Sequence, residues 1–96
     1  YVKDAVRACC YFLNHQSHGI YNVGTEKPRS FQDIITIVRS FSEFATPDVT
    51  EIEMPDDLIL RYQSFTQAVS PRARAAGFRC EYDLGRGLED MKRYVS

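Results

Sequence analysis

An α/β fold is what the sequence predicts, and three observations predict it. Residues 4–14 and 31–41 repeat apolar side chains at helical spacing, residues 20–23 and 49–54 are short β-rich runs held between chain breakers, and helix-opening signals return after residue 55. The composition, 44% hydrophobic and 26% charged over 96 residues, suits an ordinary globular domain and argues against disorder, collagen-like repeats and coiled coil.

Taken in order, Val6, Cys9, Cys10 and Leu13 mark a first helix from Asp4 to Asn14, closed by the polar stretch Asn14 to His18 and by Gly19. Ile20, Tyr21, Asn22 and Val23 sit between Gly19 and Gly24 and read as a buried strand. Ser30 with Asp33 approximates a capping box, and Phe31, Ile34, Ile35, Val38 and Phe41 form the apolar face of a second helix that stops before Thr46-Pro47. From Val49 to Met54 the residues alternate in polarity, the pattern of a half-exposed strand ended by Pro55. Pro55-Asp56-Asp57 opens a short helical turn through Leu60, and residues 61–68 have no clean period, as expected of a loop. Ser70-Pro71 starts a short alanine-rich helix over 72–76, with Gly77 placed to follow its C-cap. Asp83 caps a last helix whose Leu84, Leu88, Met91 and Val95 share a face despite the weakening Gly85 and Gly87.

A formal net charge of −1 gives no basic field for nucleic acid or an acidic membrane, and no run of about 18 apolar residues is present. The expectation is a soluble protein with neither nucleic-acid nor membrane partner. Three cysteines in no framework spacing suit a reducing cytoplasm. A chain of this size buries only roughly 60–65% of its unfolded surface, so help from the rest of a larger protein or from a homo-oligomer is expected. Tyr1 is not methionine, and Tyr1-Val2 runs straight into a helical pattern, so the start reads as the boundary of a fragment.

Between Leu58 and Cys80 stand four arginines, Arg61, Arg72, Arg74 and Arg79, and no acid. Guanidinium forks bind phosphate oxygens in pairs, so a diphosphate suits this stretch. Arg72 and Arg74 are more simply a solvated helix face; Arg61 is the better candidate. Arg61, Tyr62, Gln63, Thr66 and Gln67 group hydrogen-bonding side chains around Phe65 on an aperiodic stretch, the arrangement that orients sugars and nucleotides from loops. Tyr62 as a core residue with a wet hydroxyl is the equal alternative. Cys9-Cys10 with His15 and His18 invites a metal reading, but the spacing is wrong for a tetrahedral site and both cysteines lie on the apolar face of the first helix. No catalytic, cofactor-binding or metal residue is assigned. Asp4 and Asp33 read as helix-start residues, Glu51 and Glu53 as a solvated strand face, and Tyr11, Phe12, Tyr21, Phe31, Phe41 and Phe44 as core or interface.

The string Tyr1-Val2-Lys3-Asp4-Ala5-Val6, then Gly19-Ile20-Tyr21-Asn22-Val23-Gly24-Thr25, then Ser30-Phe31-Gln32-Asp33-Ile34, resembles the landmarks that follow the catalytic half of extended short-chain dehydrogenases. Arg61-Tyr62-Gln63-Ser64-Phe65-Thr66-Gln67-Ala68 and Arg74-Ala75-Ala76-Gly77-Phe78 are the more specific signature and resemble the ADP-glycero-manno-heptose 6-epimerases of that family. The resemblance spans nearly the whole chain. It implies a Rossmann-type enzyme of which residues 1–25 end the dinucleotide-binding domain, one helix and one strand completing its sheet, while residues 26–96 form the small substrate domain. It further implies a tightly held NADP as transient hydride acceptor, an ADP-heptose or related nucleotide-sugar as substrate, a role in lipopolysaccharide core synthesis, and Tyr62 as the match to the family's substrate-binding tyrosine. Contacts from Arg61, Gln63 and Gln67 are inferred from their chemistry.

The family's glycine-rich fingerprint, its Tyr-x-x-x-Lys pair and a substrate arginine lie before the position matching Tyr1, so NADP is expected to be held by the missing N-terminal part and the chain is not expected to react alone. Leu60 stands where the family usually has glycine, and the Cys9-Cys10 pair is unusual, which leaves the exact sugar open among nucleotide-sugar epimerases and dehydratases. The competing class is a non-catalytic oligomerisation or binding module.

Overall fold

The computed structural model describes residues 1–15, 18–41 and 48–95. Its described elements are helical: α1 Val2–Asn14, α2 Phe31–Arg39, α3 Asp56–Ile59, α4 Pro71–Ala75 and α5 Leu84–Met91, which runs into a 3-10 turn at Lys92–Tyr94. The expected stop of α2 at Thr46-Pro47 and the aromatic Phe44 lie outside the described residues.

Helix α1 opens without a side-chain cap; the Tyr1 carbonyl accepts from the Asp4 and Ala5 amides at 3.0 and 3.1 Å. It closes on His15, whose amide donates to the Tyr11 carbonyl and whose ring stacks on Tyr11 at 3.9 Å. One face carries Asp4, Ala8, Tyr11 and Phe12 inward. Ala8 is small enough to let α1 approach Ala73 and Phe78, and around these three pack Tyr11, Phe12, Tyr21 and Cys80. The other face, Val2, Val6, Cys9 and Leu13, is exposed, so Cys9 does not lie on the buried side; Cys10 is exposed as well.

Helix α2 begins on a full capping box. Ser30 Oγ accepts from the Asp33 amide at 3.1 Å while Asp33 Oδ2 accepts from the Ser30 amide at 2.9 Å. That backbone donor, then Arg29, holds the Asp33 carboxyl below the usual carboxylate range. The helix packs against α5, and just past its end Phe41 is buried with the Lys92 ammonium 4.9 Å from its ring centre. Phe31, expected on the apolar face, is instead 70% exposed at the first turn.

Helix α4 ends in a Schellman motif. The Phe78 amide donates to the Ala73 carbonyl at 2.9 Å and the Gly77 amide to that of Arg74 at 3.0 Å, with Gly77 at φ +94°. Glycine is required twice over, because a Cβ there would also sit 2.5 Å from the Tyr11 hydroxyl. In α5 the Asp83 carboxylate caps the Arg86 amide at 2.8 Å, as its position predicts. Gly87, read from sequence as a weakness, is buried against the Tyr1 ring and lets the two ends of the chain meet.

Neither expected strand forms among the described residues. Residues 20–23 and 49–54 lack ladder partners, and Ile20 and Ile52 are 83% and 82% exposed rather than packed. The physical reason is that a strand exists only through paired backbone groups, and among the described residues neither run exchanges ladder hydrogen bonds with another segment; residues 22–23 approach Val69 through the Asn22 side chain instead. The molecule is correspondingly open, 47 × 37 × 18 Å with a radius of gyration of 16.8 Å, against about 12–13 Å for a close-packed domain of this length.

Candidate functional site

The stretch singled out by sequence begins as the unwinding end of α3. Leu58 O accepts from both the Arg61 and Tyr62 amides at 2.9 Å, which turns the chain outward at Tyr62. Tyr62 is 49% and Phe65 67% exposed, and among the described residues neither the Arg61 guanidinium nor the Tyr62 hydroxyl has a partner. Gln63 Oε1 accepts weakly from Thr66 Oγ1 at 3.4 Å. Gln67 is different: its Nε2 donates to the Glu26 carbonyl at 2.7 Å, so it ties the stretch to the chain some forty residues earlier. The structure thus brings Arg61, Tyr62 and Gln63 onto one turn, the first two with free polar ends and Gln63 bonded only to nearby Thr66, and sets Gln67 apart as an anchor.

The four arginines separate by use. Arg72 lies over the Tyr21 ring at 5.0 Å and donates to the Ile20 carbonyl at 2.8 Å; Tyr21 in turn stacks on Phe12 at 4.2 Å. It is therefore an exposed residue that also brackets residues 20–21. Arg74 pairs with Glu26 at 3.3 Å. Arg61 and Arg79 remain without an ion-pair or hydrogen-bond partner among the described residues. Arg79 lines a cleft of about 310 Å³ between residues 23–27 and 78–83, whose floor includes Ala73 and Phe78. Among the described residues no three His, Cys, Asp or Glu side chains are placed to hold a metal ion.

Residues 22–26 and 67–70 lie side by side without forming a ladder. Asn22 Nδ2 donates to the Val69 carbonyl at 3.3 Å. A Cβ on Gly24 would sit 2.6 Å from that of Ala68, so glycine permits the approach. Glu26 accepts from the Ser70 amide as well as from Arg74, and the Ser70 hydroxyl, expected to cap α4, is buried without a partner among the described residues.

Comparison with curated proteins matches the same chain from end to end. It is 41% identical to the ADP-L-glycero-D-manno-heptose-6-epimerase of Fusobacterium nucleatum subsp. nucleatum, and 35% and 38% identical to those of Nitratidesulfovibrio vulgaris strains Hildenborough and DP4. The chain is similar, over its whole length, to one part of the ADP-L-glycero-D-manno-heptose-6-epimerases. All of this chain takes part in each match, and it spans 30–31% of the length of those epimerases. No family model matches it, and no solved structure does. The names of these epimerases agree with the family read from residues 61–68 and 74–78.

Two aspartates organise the fold in ways the sequence reading missed, Asp90 altogether and Asp4 beyond its place at a helix start. Asp4 is 1% exposed and accepts from the Glu81 and Tyr82 amides at 3.0 and 2.9 Å and from Arg7 at 2.6 Å, Arg7 reaching on to Glu81 at 3.1 Å. Burial pushes its carboxyl up, but the two backbone donors and the guanidinium outweigh that and hold it below the usual range. Far from being a helix-start residue alone, Asp4 joins α1 to the lead-in of α5. Asp90 takes the Lys3 ammonium and the Tyr1 hydroxyl, each at 2.6 Å, which lowers its carboxyl and raises both partners. An aspartate in a first helical turn looks the same in sequence whether it faces water or a distant backbone.

Proposed function

We propose that this chain is the substrate-binding portion of an NADP-dependent epimerase that converts ADP-D-glycero-D-manno-heptose to ADP-L-glycero-D-manno-heptose, a cytoplasmic step in lipopolysaccharide core synthesis. The observation that carries the proposal is the end-to-end similarity, at 35–41% identity, to proteins bearing that activity in their names. In this reading residues 1–25 finish the dinucleotide-binding domain of a longer protein and residues 26–96 form its small domain, in an α/β whole whose sheet residues 20–23 join.

The described residues themselves do not suit NADP. A dinucleotide site needs a glycine-rich turn between strand and helix, whereas Gly24 faces Ala68, Gly77 faces Tyr11, Gly87 faces Tyr1, Gly19 faces Arg72 and Gly85 lies in α5. The cofactor therefore belongs to another part of the longer protein, and no hydride or proton step is assigned to this chain. What its residues supply is binding. The unpartnered Arg61 guanidinium offers a paired hydrogen-bond fork to the diphosphate, the Tyr62 ring and hydroxyl a packing surface and one directed bond to sugar or ribose, and the Gln63 amide a further polar contact.

Steady-state kinetics of the full-length gene product on ADP-heptose test this reading. Tyr62→Phe is expected to raise the Michaelis constant about two- to tenfold, the worth of one hydrogen bond, and Tyr62→Ala to raise it further, both with kcat little changed. Wild-type kinetics in Tyr62→Ala together with a lowered melting temperature would make Tyr62 a packing residue and remove it from the site.

A further inference from the structure

Among the described residues, Glu26 makes three polar contacts with residues 67–74. Its backbone stands at φ +62°, in the left-handed region that glycine enters freely and other residues enter at a cost. In that conformation one residue faces three partners. Its carbonyl accepts from Gln67 Nε2, one carboxylate oxygen accepts from the Ser70 amide, and the other pairs with Arg74. Glutamate at a left-handed position is unusual, and the surrounding bonds explain why it persists: a strained backbone endures where neighbours over-determine it. Ahead of it, Asn22 on Val69 and Gly24 against Ala68 continue the same seam.

This seam is the downstream anchor of the turn that carries Arg61, Tyr62 and Gln63. None of those three side chains makes a long-range bond of its own among the described residues, so their placement depends on what holds the stretch at its two ends: α3 before it and Glu26 after it. We infer that Glu26 is a positioning residue, which uses its left-handed backbone and its carboxylate to clasp residues 67–70 and thereby sets where Tyr62 and Arg61 stand. The consequence for substrate rests on the function proposed above; the clasp itself does not. A side chain that acts this way alters affinity for the nucleotide-sugar and leaves the reacting groups untouched.

Two substitutions separate clasp from strain. Glu26→Gly relaxes the backbone and removes the carboxylate, while Glu26→Gln keeps an acceptor for the Ser70 amide and loses only the charge facing Arg74. In amide NMR spectra of the full 96-residue chain, resonances of residues 61–66, none of which touches Glu26, are expected to shift or broaden in Glu26→Gly and to return towards wild type in Glu26→Gln. In the full-length gene product the Michaelis constant for ADP-heptose is expected to rise about fivefold or more in Glu26→Gly, with kcat retained and with most of the effect recovered in Glu26→Gln. Resonances of 61–66 that stay in place in a folded Glu26→Gly chain would overturn the clasp. Moved resonances with an unchanged Michaelis constant would overturn its role in substrate placement while leaving the epimerase reading intact. A wild-type gene product that does not epimerise ADP-heptose would sink that reading instead, and with it the substrate role, the clasp standing or falling on the spectra.

Discussion

At the scale of single residues, the fold is fastened by carboxylates aimed at backbone amides. Asp4 is the clearest case, because its two oxygens answer two amides and a guanidinium while its side chain is almost fully enclosed. Removing the charge leaves buried donors short of an acceptor, so Asp4→Asn is expected to lower unfolding free energy by about 1–3 kcal/mol in a denaturant titration. The sign with pH follows from the direction of its shift. A carboxyl held lower in the folded state than in the unfolded chain contributes stability above the unfolded value, near 3.9, and that contribution disappears as pH falls through the lower folded value. Acid denaturation between about pH 5 and pH 2 should therefore be shallower in Asp4→Asn than in wild type. An unaltered acid limb would show that Asp4 has no such role. Arg61 makes the opposite kind of residue, free and exposed. Arg61→Ala is expected to weaken nucleotide-sugar binding in the full-length gene product, with a loss that shrinks in high salt as a diphosphate contact is screened; a loss indifferent to salt would argue against that contact.

At the scale of elements, the helices were legible and the strands were not, for one physical reason. A helix satisfies its own backbone, so local signals suffice: Ser30 with Asp33 announces α2, Ser70-Pro71 and Gly77 bracket α4, and Asp83 starts α5. Residues 20–23 and 49–54 have strand composition, but no partner for either lies within this chain's described residues. The candidate site was half legible. Arg61, Tyr62 and Gln63 could be chosen because polar groups on an aperiodic stretch have few structural uses; among the described residues Arg61 and Tyr62 have no polar side-chain partner and Gln63 has only Thr66. The anchor at Glu26 could not be chosen, since its left-handed backbone and its partners at Gln67, Ser70 and Arg74 are properties of folding alone. Arg72 is exposed, as a solvated helix face requires, but its contact with Tyr21 could not be read, because an arginine over a tyrosine ring has the same sequence as one without it. The capping box offers a check at this scale. Ser30→Ala is expected to cost about 1 kcal/mol by thermal or denaturant unfolding, and Ser30→Asp to cost less. Equal stability of Ser30→Ala and wild type would mean that α2 is held by its packing on α5 alone.

At the scale of the whole molecule, the outstanding feature is apolar surface left uncovered. Val2, Val6, Cys9 and Leu13 form one exposed stripe along α1, the three aliphatic ones 57–79% exposed, and Ile20 near its end is 83% exposed. Such a stripe favours association. The 96-residue chain alone is expected to self-associate in sedimentation runs, and Val6→Asp with Leu13→Asp to return it to a monomer; a monomeric wild-type chain at high concentration would favour a self-sufficient binding module. In the proposed setting that surface is covered by the rest of a longer epimerase, which also holds the cofactor. The most direct test is therefore to compare the full-length gene product with the 96-residue chain, following the C6 configuration of ADP-D-glycero-D-manno-heptose by NMR and NADP binding by calorimetry. The expected result is inversion at C6 and retained NADP in the full-length product, with neither in the chain alone. Micromolar NADP binding by the 96 residues, or a folded full-length product that leaves the heptose unchanged, would contradict the account.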